Sequence, residues 1–399
     1  MIRYLTAGES HGEALIGIVE GMPAGVPLTA ADLNEHLARR WQGYGRGGRA
    51  KIEQDLVHIY SGVRFSHTMG SPIALSLTNA AYQKDRSGWP EVMAIEGTGE
   101  GIEPITLPRP GHADLVGTQK YRFNDIRPVI DRSSARETAM RVACCSVARQ
   151  FLKQFGIEIG SHVIRIGAVG YDSPEEWQER VEPLLAQGAE ALYRAADANE
   201  VRMLDPKLSE RCIEHIKETK QSGDSLGGIY EVVVTGVPPG LGSYVQWDRR
   251  LDGQLAQAIL SIQAQKAVEI GDGVLGASRP GSQVHDPIVR ESDGRYGRRS
   301  NHAGGIEGGM TNGMPIIVRG YMKPIPTLIK PLDTVDIATG EAQPTRYERS
   351  DVTSVPAAST VAEATVALVI ANAFLEKYGG DSLSEVREHY EAERYTSRA

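Results

Sequence analysis

Cysteine is scarce: three residues in a chain of 399, Cys144, Cys145 and Cys212. An odd count with an adjacent pair excludes a disulfide framework or a zinc ribbon, and it fits a reducing compartment. Basic residues are outnumbered, 43 Lys and Arg against 51 Asp and Glu, which leaves a formal net charge of −8. That balance argues against nucleic acid as a partner, although bulk charge says nothing about local patches. Long apolar runs are missing. The most apolar stretch, 364–375, is too short to cross a bilayer and contains Asn372. The first residues lack the apolar core of a secretion signal. No membrane partner is expected, and the chain reads as soluble and cytoplasmic. Apolar residues make up 41% and charged residues 24%, which excludes a mainly disordered chain.

Glycine and proline are plentiful instead, 44 and 21 residues with no period, so many tight loops are expected. Short strands and helices alternate along the chain. Residues 14–20 read as a strand. Thr29 opens a helix, with Asp32 completing a capping box and Leu33, Leu37 and Trp41 at helical spacing. A strand follows near 56–61, and 81–111 reads as one long loop. The best-marked helix begins at Ser134, with Glu137 three residues on, and runs to about Phe155. Then come a strand over 157–169, charged helices near 175–194 and 206–221, a β-branched strand at 229–237 and a helix over 251–264. Residues 271–314 are Gly-rich loops. A helix over 360–378 and a polar tail helix close the chain. No repeat or linker divides it. One α+β domain spanning 1–399 is expected, with 171–225 as its peripheral segment.

Several motifs mislead. Residues 43–48 and 271–276 both match G-x-G-x-x-G, but neither lies between a strand and a helix as a dinucleotide fold requires. Residues 8–12 and 223–227 match G-x-S-x-G, yet a strand-like run follows each, unlike a nucleophile elbow. A serine hydrolase is therefore the weaker reading.

The chemistry-bearing feature is arginine in Gly-rich loops. Arg39, Arg40, Arg46 and Arg49 fall within eleven residues, interleaved with Gly43, Gly45, Gly47 and Gly48. Glycine lets backbone approach a ligand, and guanidinium grips phosphate or carboxylate in a fork. Further Arg-bearing loops stand at Arg109–His112, Arg132–Arg136, Arg295–Arg299 and Arg349–Asp351. A solvated basic loop would explain one of these; a polyanionic substrate explains them together. Ser133 and Ser134 at a helix start add a second anion site, though plain capping uses the same residues. His11 and His112 lie in Gly-flanked loops beside charged residues, where histidine suits proton transfer.

These segments, in this order, resemble the chorismate synthase family along nearly the whole chain. The resemblance rests on Gly8–Gly12, Glu20–Pro23, Arg39–Glu53, Arg109–Asp114, Arg132–Thr138, Val268–Gly271, Gly304–Gly309, Lys323–Thr327, Arg349–Asp351 and Val355–Ala358. It implies an anti-1,4 elimination of phosphate from 5-enolpyruvylshikimate 3-phosphate to give chorismate, the last step of the shikimate pathway. Reduced FMN is required without net redox change, and NADPH is the candidate reductant of the flavin. The implied fold is α+β, a single large domain with helices layered between antiparallel sheets, assembled as a homotetramer.

Residue roles follow from the same resemblance. His11 serves the departing phosphate, His112 protonates or stabilises reduced flavin, and Asp351 assists removal of the substrate proton with Ser10 supporting the network. Arg40, Arg46, Arg49, Arg136 and Arg349 form the anion clamp, Arg40 and Arg46 being also the pyridine-nucleotide positions. Flavin contacts fall to Arg132, Ser133, Ser134, Gln263, Ala264, Gly308, Lys323, Pro324, Ile325, Pro326, Thr327 and Arg349. The chain departs from the family pattern at Ala267, Val274 and His302. The other class of reading is a non-catalytic module that binds a phosphorylated ligand; such a module would need none of His11, His112 and Asp351.

Overall fold

The computed structural model describes residues 1–45, 55–83, 88–292, 294–346 and 351–396. Two antiparallel sheets frame it. The first runs in the order Arg3–Ala7, Ala14–Glu20, Ile73–Thr78, Val57–Ile59. The second runs Gln265–Ile270, Ile316–Met322, Gly228–Thr235, Glu158–Ile166, Val169–Gly170. Helices Ala30–Trp41, Glu137–Lys153 and Val355–Tyr378 pack between them. The expected α+β layering is therefore what the chain adopts. Helix 137–153 approaches the first sheet at Gly17, where a Cβ would fall 2.4 Å from Cys144 Sγ and 2.5 Å from Met140 Sδ. Only glycine fits that contact.

The capping box at Thr29 and Asp32 forms as the sequence indicates. The helix placed at Ser134 is different. A short helix, Arg127–Ser133, ends there with Ser134 as its C-cap, and the long helix starts at Glu137 without a side-chain cap. The Ser134 hydroxyl instead accepts from the Arg136 N–H at 3.2 Å. Segment 175–194 divides at Gly188 into helices Pro174–Leu185 and Ala189–Asp197. Strands Arg3–Ala7, Ile73–Thr78 and Ile316–Met322 were not legible. The last is an interior strand of its sheet, but buried Arg319 and Gly320 break its apolar run.

The terminal apolar helix begins at Val355, five residues ahead of the expected start, with Pro356 in its first turn. By length and composition alone it is long enough to cross a membrane, contrary to the sequence expectation, but most of it is buried inside the fold. Asn372 does not break it. Its side chain pairs with the backbone of Ile2, at 2.6 Å from the N–H and 2.9 Å to the carbonyl.

A buried ion cluster joins these layers. Glu363, on helix 355–378, accepts from Arg39 at 2.6 and 2.8 Å, from Arg149 at 2.7 Å and from the Ser161 hydroxyl at 2.5 Å. Arg202 adds a bond at 3.2 Å and also reaches Ser359 at 3.0 Å. Asp197 supplies the second carboxylate, bonded to Arg39 and Arg202. Burial pushes the Glu363 carboxyl up, but the three guanidinium groups outweigh it and hold the group well below the ordinary carboxylate range. Its contribution is in place above about pH 4.5, the ordinary value, and is lost progressively as pH falls below that. Glu363→Gln should therefore lower stability at neutral pH by about 3–5 kcal/mol. Its loss of stability between pH 5 and 3 should be shallower than the parent's. Parallel urea-denaturation curves for the two proteins across that range would rule this out.

Candidate active site

The loop after the first strand is fixed by its backbone. Gly8 has φ +99°, and a Cβ there would lie 2.3 Å from the Ala14 carbonyl oxygen. Asn79 donates to the carbonyl of Gly12 at 2.6 Å, and the Ser10 N–H donates to the Asp131 carbonyl at 3.1 Å. Ser10 and His11 then meet one buried carboxylate. The Ser10 hydroxyl donates to Asp131 Oδ1 at 2.7 Å, and His11 Nδ1 contacts the same oxygen. The Trp89 ring stands edge-on to the imidazole with centroids 4.2 Å apart. An Nδ1–H given to Asp131 leaves Nε2 as the working nitrogen of a half-exposed ring.

His112 repeats the arrangement. Its Nδ1 contacts Asp114 Oδ1, while Arg109 Nε donates to Asp114 Oδ2 at 2.8 Å. Arg109 also donates to the Thr327 hydroxyl at 3.0 Å. Burial pushes the Asp114 carboxyl up, but bonds from His112 and Arg109 more than offset this and hold it well below the ordinary range. Lys323 Nζ bonds the Gly111 carbonyl, so segment 323–327 lies directly on this loop. Ser225 holds the same segment by donating to the Ile325 carbonyl at 2.7 Å.

A cleft of about 740 Å³, counting space open to solvent, is lined by Arg40, Ser134, Arg136, Gln263 and Asp351 among the expected residues. Ile262, Met322, Ala357, Ala358 and Val361 supply an apolar wall. Five separate chain segments meet here. Arg40 sits at the end of helix 30–41, bonding Thr138 Oγ1 and the Ala135 carbonyl, each at 3.0 Å. Arg136 is already matched. It donates to Asp55 at 2.6 and 2.8 Å and to Asn79 at 3.0 and 2.9 Å, and it is buried. Ala264 holds a left-handed turn at φ +65°, and its carbonyl accepts from the Lys323 N–H at 3.0 Å.

Other expected residues stand around the cleft or away from it. Arg132 donates to the Gly8 carbonyl at 3.0 Å and the Thr6 carbonyl at 2.8 Å, which ties it to the His11 loop. The Ser133 hydroxyl is turned to the Val129 carbonyl at 2.6 Å. Gly308 turns a short hairpin, Ile306–Glu307 with Met310–Thr311, that packs on 241–251, apart from the cleft lining. Arg46, Arg49 and Arg349 lie outside the described residues. Of the departures, Ala267 and Val274 are exposed, and His302 Nδ1 pairs with Asp272 at 2.8 Å.

Sequence reasoning gave no role to Asp131, Asp114, Asp55, Asn79 or Trp89. Asp114 follows His112 by two positions, which is a usable signal. Asp131 is 120 residues from His11, and no spacing rule finds it.

An arginine-bearing cleft with an apolar wall, in a fold that also anchors two histidines on carboxylates, is the arrangement of an enzyme that acts on a small molecule. The sequence profile "Chorismate synthase" matches residues 2–375. Chorismate synthase of Salinibacter ruber is 70% identical, over 99% of this chain and 99% of that protein. That of Chlorobaculum tepidum is 56% identical, over 100% and 99%. A solved structure titled "Crystal Structure of Chorismate Synthase" is 42% identical, with a TM-score of 0.79 over 100% of this chain and 98% of that one. The chain belongs to the chorismate synthase family, lyases that catalyse the final step of the shikimate pathway.

Asp114 anchors both Arg109 and His112, so its loss should cost more than loss of the ring. Asp114→Asn removes the buried charge that Arg109 and His112 share and should destabilise by about 3 kcal/mol or more. His112→Ala should cost about 1 kcal/mol. Equal losses in urea denaturation would show that Asp114 does not organise the loop.

Proposed function

We propose that this cleft binds 5-enolpyruvylshikimate 3-phosphate beside reduced FMN and carries out the anti-1,4 elimination that gives chorismate and phosphate. The observation that carries this is the convergence of Arg40, Ser134, Gln263 and Asp351 on one cleft, together with two histidines outside its lining, His11 and His112, each held by a carboxylate. The residues present suit a flavin. Ile262, Met322, Ala357 and Val361 offer a flat apolar wall, and Gln263 Oε1 is buried with no hydrogen-bond partner among the described residues. Reduced FMN supplies electron density transiently and takes it back, so the reaction has no net redox change.

The elimination breaks the ring C–O bond to phosphate and removes one ring proton, leaving a new double bond. His11 gives its Nε2 proton to the leaving phosphate, and Asp131 at Nδ1 fixes the ring. Ser10 braces that pair by sharing Asp131 Oδ1. Asp351, just ahead of helix 355–378, assists removal of the ring proton. His112 faces the flavin, oriented by Asp114. Arg132, Ser133, Ser134, Gln263, Ala264, Gly308, Lys323 to Thr327 and Arg349 hold the flavin.

Arg40, Arg46, Arg49, Arg136 and Arg349 clamp the anions. Arg136 and Arg40 both stand against Asp55, at 2.6 and 3.8 Å, so this carboxylate already offsets part of the clamp's positive charge. NADPH as reductant of the flavin belongs to the same reading, with Arg40 and Arg46 as its contacts. So does a cytoplasmic homotetramer. Exposed Leu5, Ile16 and Ile18 on the outer side of the first sheet give subunits an apolar face to share. We also take 1–399 as one domain with 171–225 peripheral. A module that only binds phosphate has no use for two histidines oriented by carboxylates.

The test is chorismate formation under anaerobic conditions with chemically reduced FMN, with and without NADPH. His11→Ala and His112→Ala should each lower turnover by roughly 10²–10⁴. The spectrum of bound reduced flavin should shift only in the His112 variant. Full turnover in both variants would end the acid–base assignment, and a flavin shift confined to the His11 variant would exchange the two roles.

A further inference from the structure

Asp131 and Ser10 secure the His11 imidazole along one edge, through Nδ1. That contact sets where Nδ1 sits; tilt of the ring about it needs a second constraint. A proton donor must present its nitrogen within hydrogen-bond reach of the acceptor, and neighbouring side chains have to lock the ring at that angle. The His11 side chain is 33% exposed, so close packing on every side does not supply the constraint. The Trp89 indole supplies it. The two ring centroids are 4.2 Å apart and the planes meet at 77°, a geometry in which aromatic pairs attract.

The chain around Trp89 holds the indole in place. Trp89 opens a four-residue helix, Trp89–Val92, directly after Gly88, which takes the left-handed φ of +66°. Pro90 follows in the first turn and locks its own φ. The Trp89 carbonyl accepts from the Met93 N–H at 2.9 Å, which closes the turn. Beyond it, residues 94–101 are all exposed, Ile95 completely. Trp89 itself is half-buried, yet it belongs to neither hydrophobic cluster among the described residues. A large ring carried on a stretch that otherwise runs through solvent, and set against one imidazole, does not serve to fill the core.

We propose that Trp89 is a positioning residue for His11: its indole holds the plane of the imidazole and keeps water from that side, so that Nε2 stays aimed at the leaving phosphate. This rests on the reading of His11 above as the acid of the elimination. The indole acts through His11 and not on the substrate, so its loss should change turnover rather than affinity. In the anaerobic assay with chemically reduced FMN, Trp89→Ala should lower kcat about tenfold, the upper range for one ring contact. KM for 5-enolpyruvylshikimate 3-phosphate should stay within about twofold of the parent's. Trp89→Phe keeps an aromatic ring and should recover most of the loss. Both variants should fold as the parent does, because Trp89 lies outside the core clusters.

The double variant separates positioning from a general effect on the fold. Added to His11→Ala, the Trp89→Ala change should cost nothing further, because the ring it positions is gone. Losses that multiply in the double variant would overturn the proposal. So would unchanged kcat in a folded Trp89→Ala protein, or a Phe variant as poor as the Ala one. A rise in KM at constant kcat would make Trp89 a substrate contact and overturn the proposal as well. If His11→Ala keeps full turnover, the acid role of His11 fails and the role of Trp89 with it. If His11→Ala is impaired and Trp89→Ala is not, the role of Trp89 alone falls.

Discussion

The Glu363 carboxylate is the interaction on which the rest of this structure depends. It lies inside the protein with three guanidinium groups and a hydroxyl on its two oxygens. Each partner comes from a different element: Arg39 from helix 30–41, Arg149 from helix 137–153, Ser161 from strand 158–166 and Arg202 from the loop after helix 189–197. A carboxylate in that place without the arginines would be too costly to keep ionised, and the arginines without it would repel one another. The cluster therefore sets the relative position of three helices. Those helices carry Arg40, the Ser134–Thr138 turn and the 351–358 segment to the cleft.

Arg39 and Arg40 illustrate how finely this works. They are neighbours in sequence and both are buried. Arg39 turns into the ion cluster and lies 4.0 Å over the Tyr193 ring. Arg40 turns the other way, toward Thr138 and the cleft. One residue fixes the helix, and the next uses the position so fixed. Arg136 does both jobs at once. It faces the cleft, yet Asp55 and Asn79 hold it, and Asn79 in turn holds the Gly12 carbonyl of the His11 loop. The proposed anion contact at Arg136 is thus tied through Asn79 to the loop that carries the proposed general acid.

The two histidine sites share a logic without sharing an element. In each, a buried aspartate contacts Nδ1; at His112 the Arg109 guanidinium also approaches both ring nitrogens, at 3.1 and 3.4 Å. They differ in their second partner. Ser10 shares Asp131 with His11, a neutral hydroxyl beside a group proposed to pass on a proton. Arg109 shares Asp114 with His112, a fixed positive charge beside a group proposed to face a cofactor. The Arg109–Thr327 and Lys323–Gly111 bonds tie this second site to the 323–327 segment.

The sequence by itself determined the local features: the Thr29–Asp32 cap, the turns at glycine, the long apolar helix and the arginines set among glycines. These are legible because each depends on residues a few positions apart. It also carried the family motifs that name the candidate site residues. Tertiary structure alone decided which of those residues meet. Asp131 reaches His11 from 120 positions away, Asp55 reaches Arg136 from 81, and Glu363 reaches Arg39 from 324. No periodicity records such pairs, because they are chosen by the packing of layers rather than by the path of the chain. The same holds for the strand 316–322, whose buried Arg319 is intelligible only once Glu231 is seen across the sheet, 2.7 Å away. A charge that looks misplaced in a linear pattern is stabilised by a partner that only folding supplies.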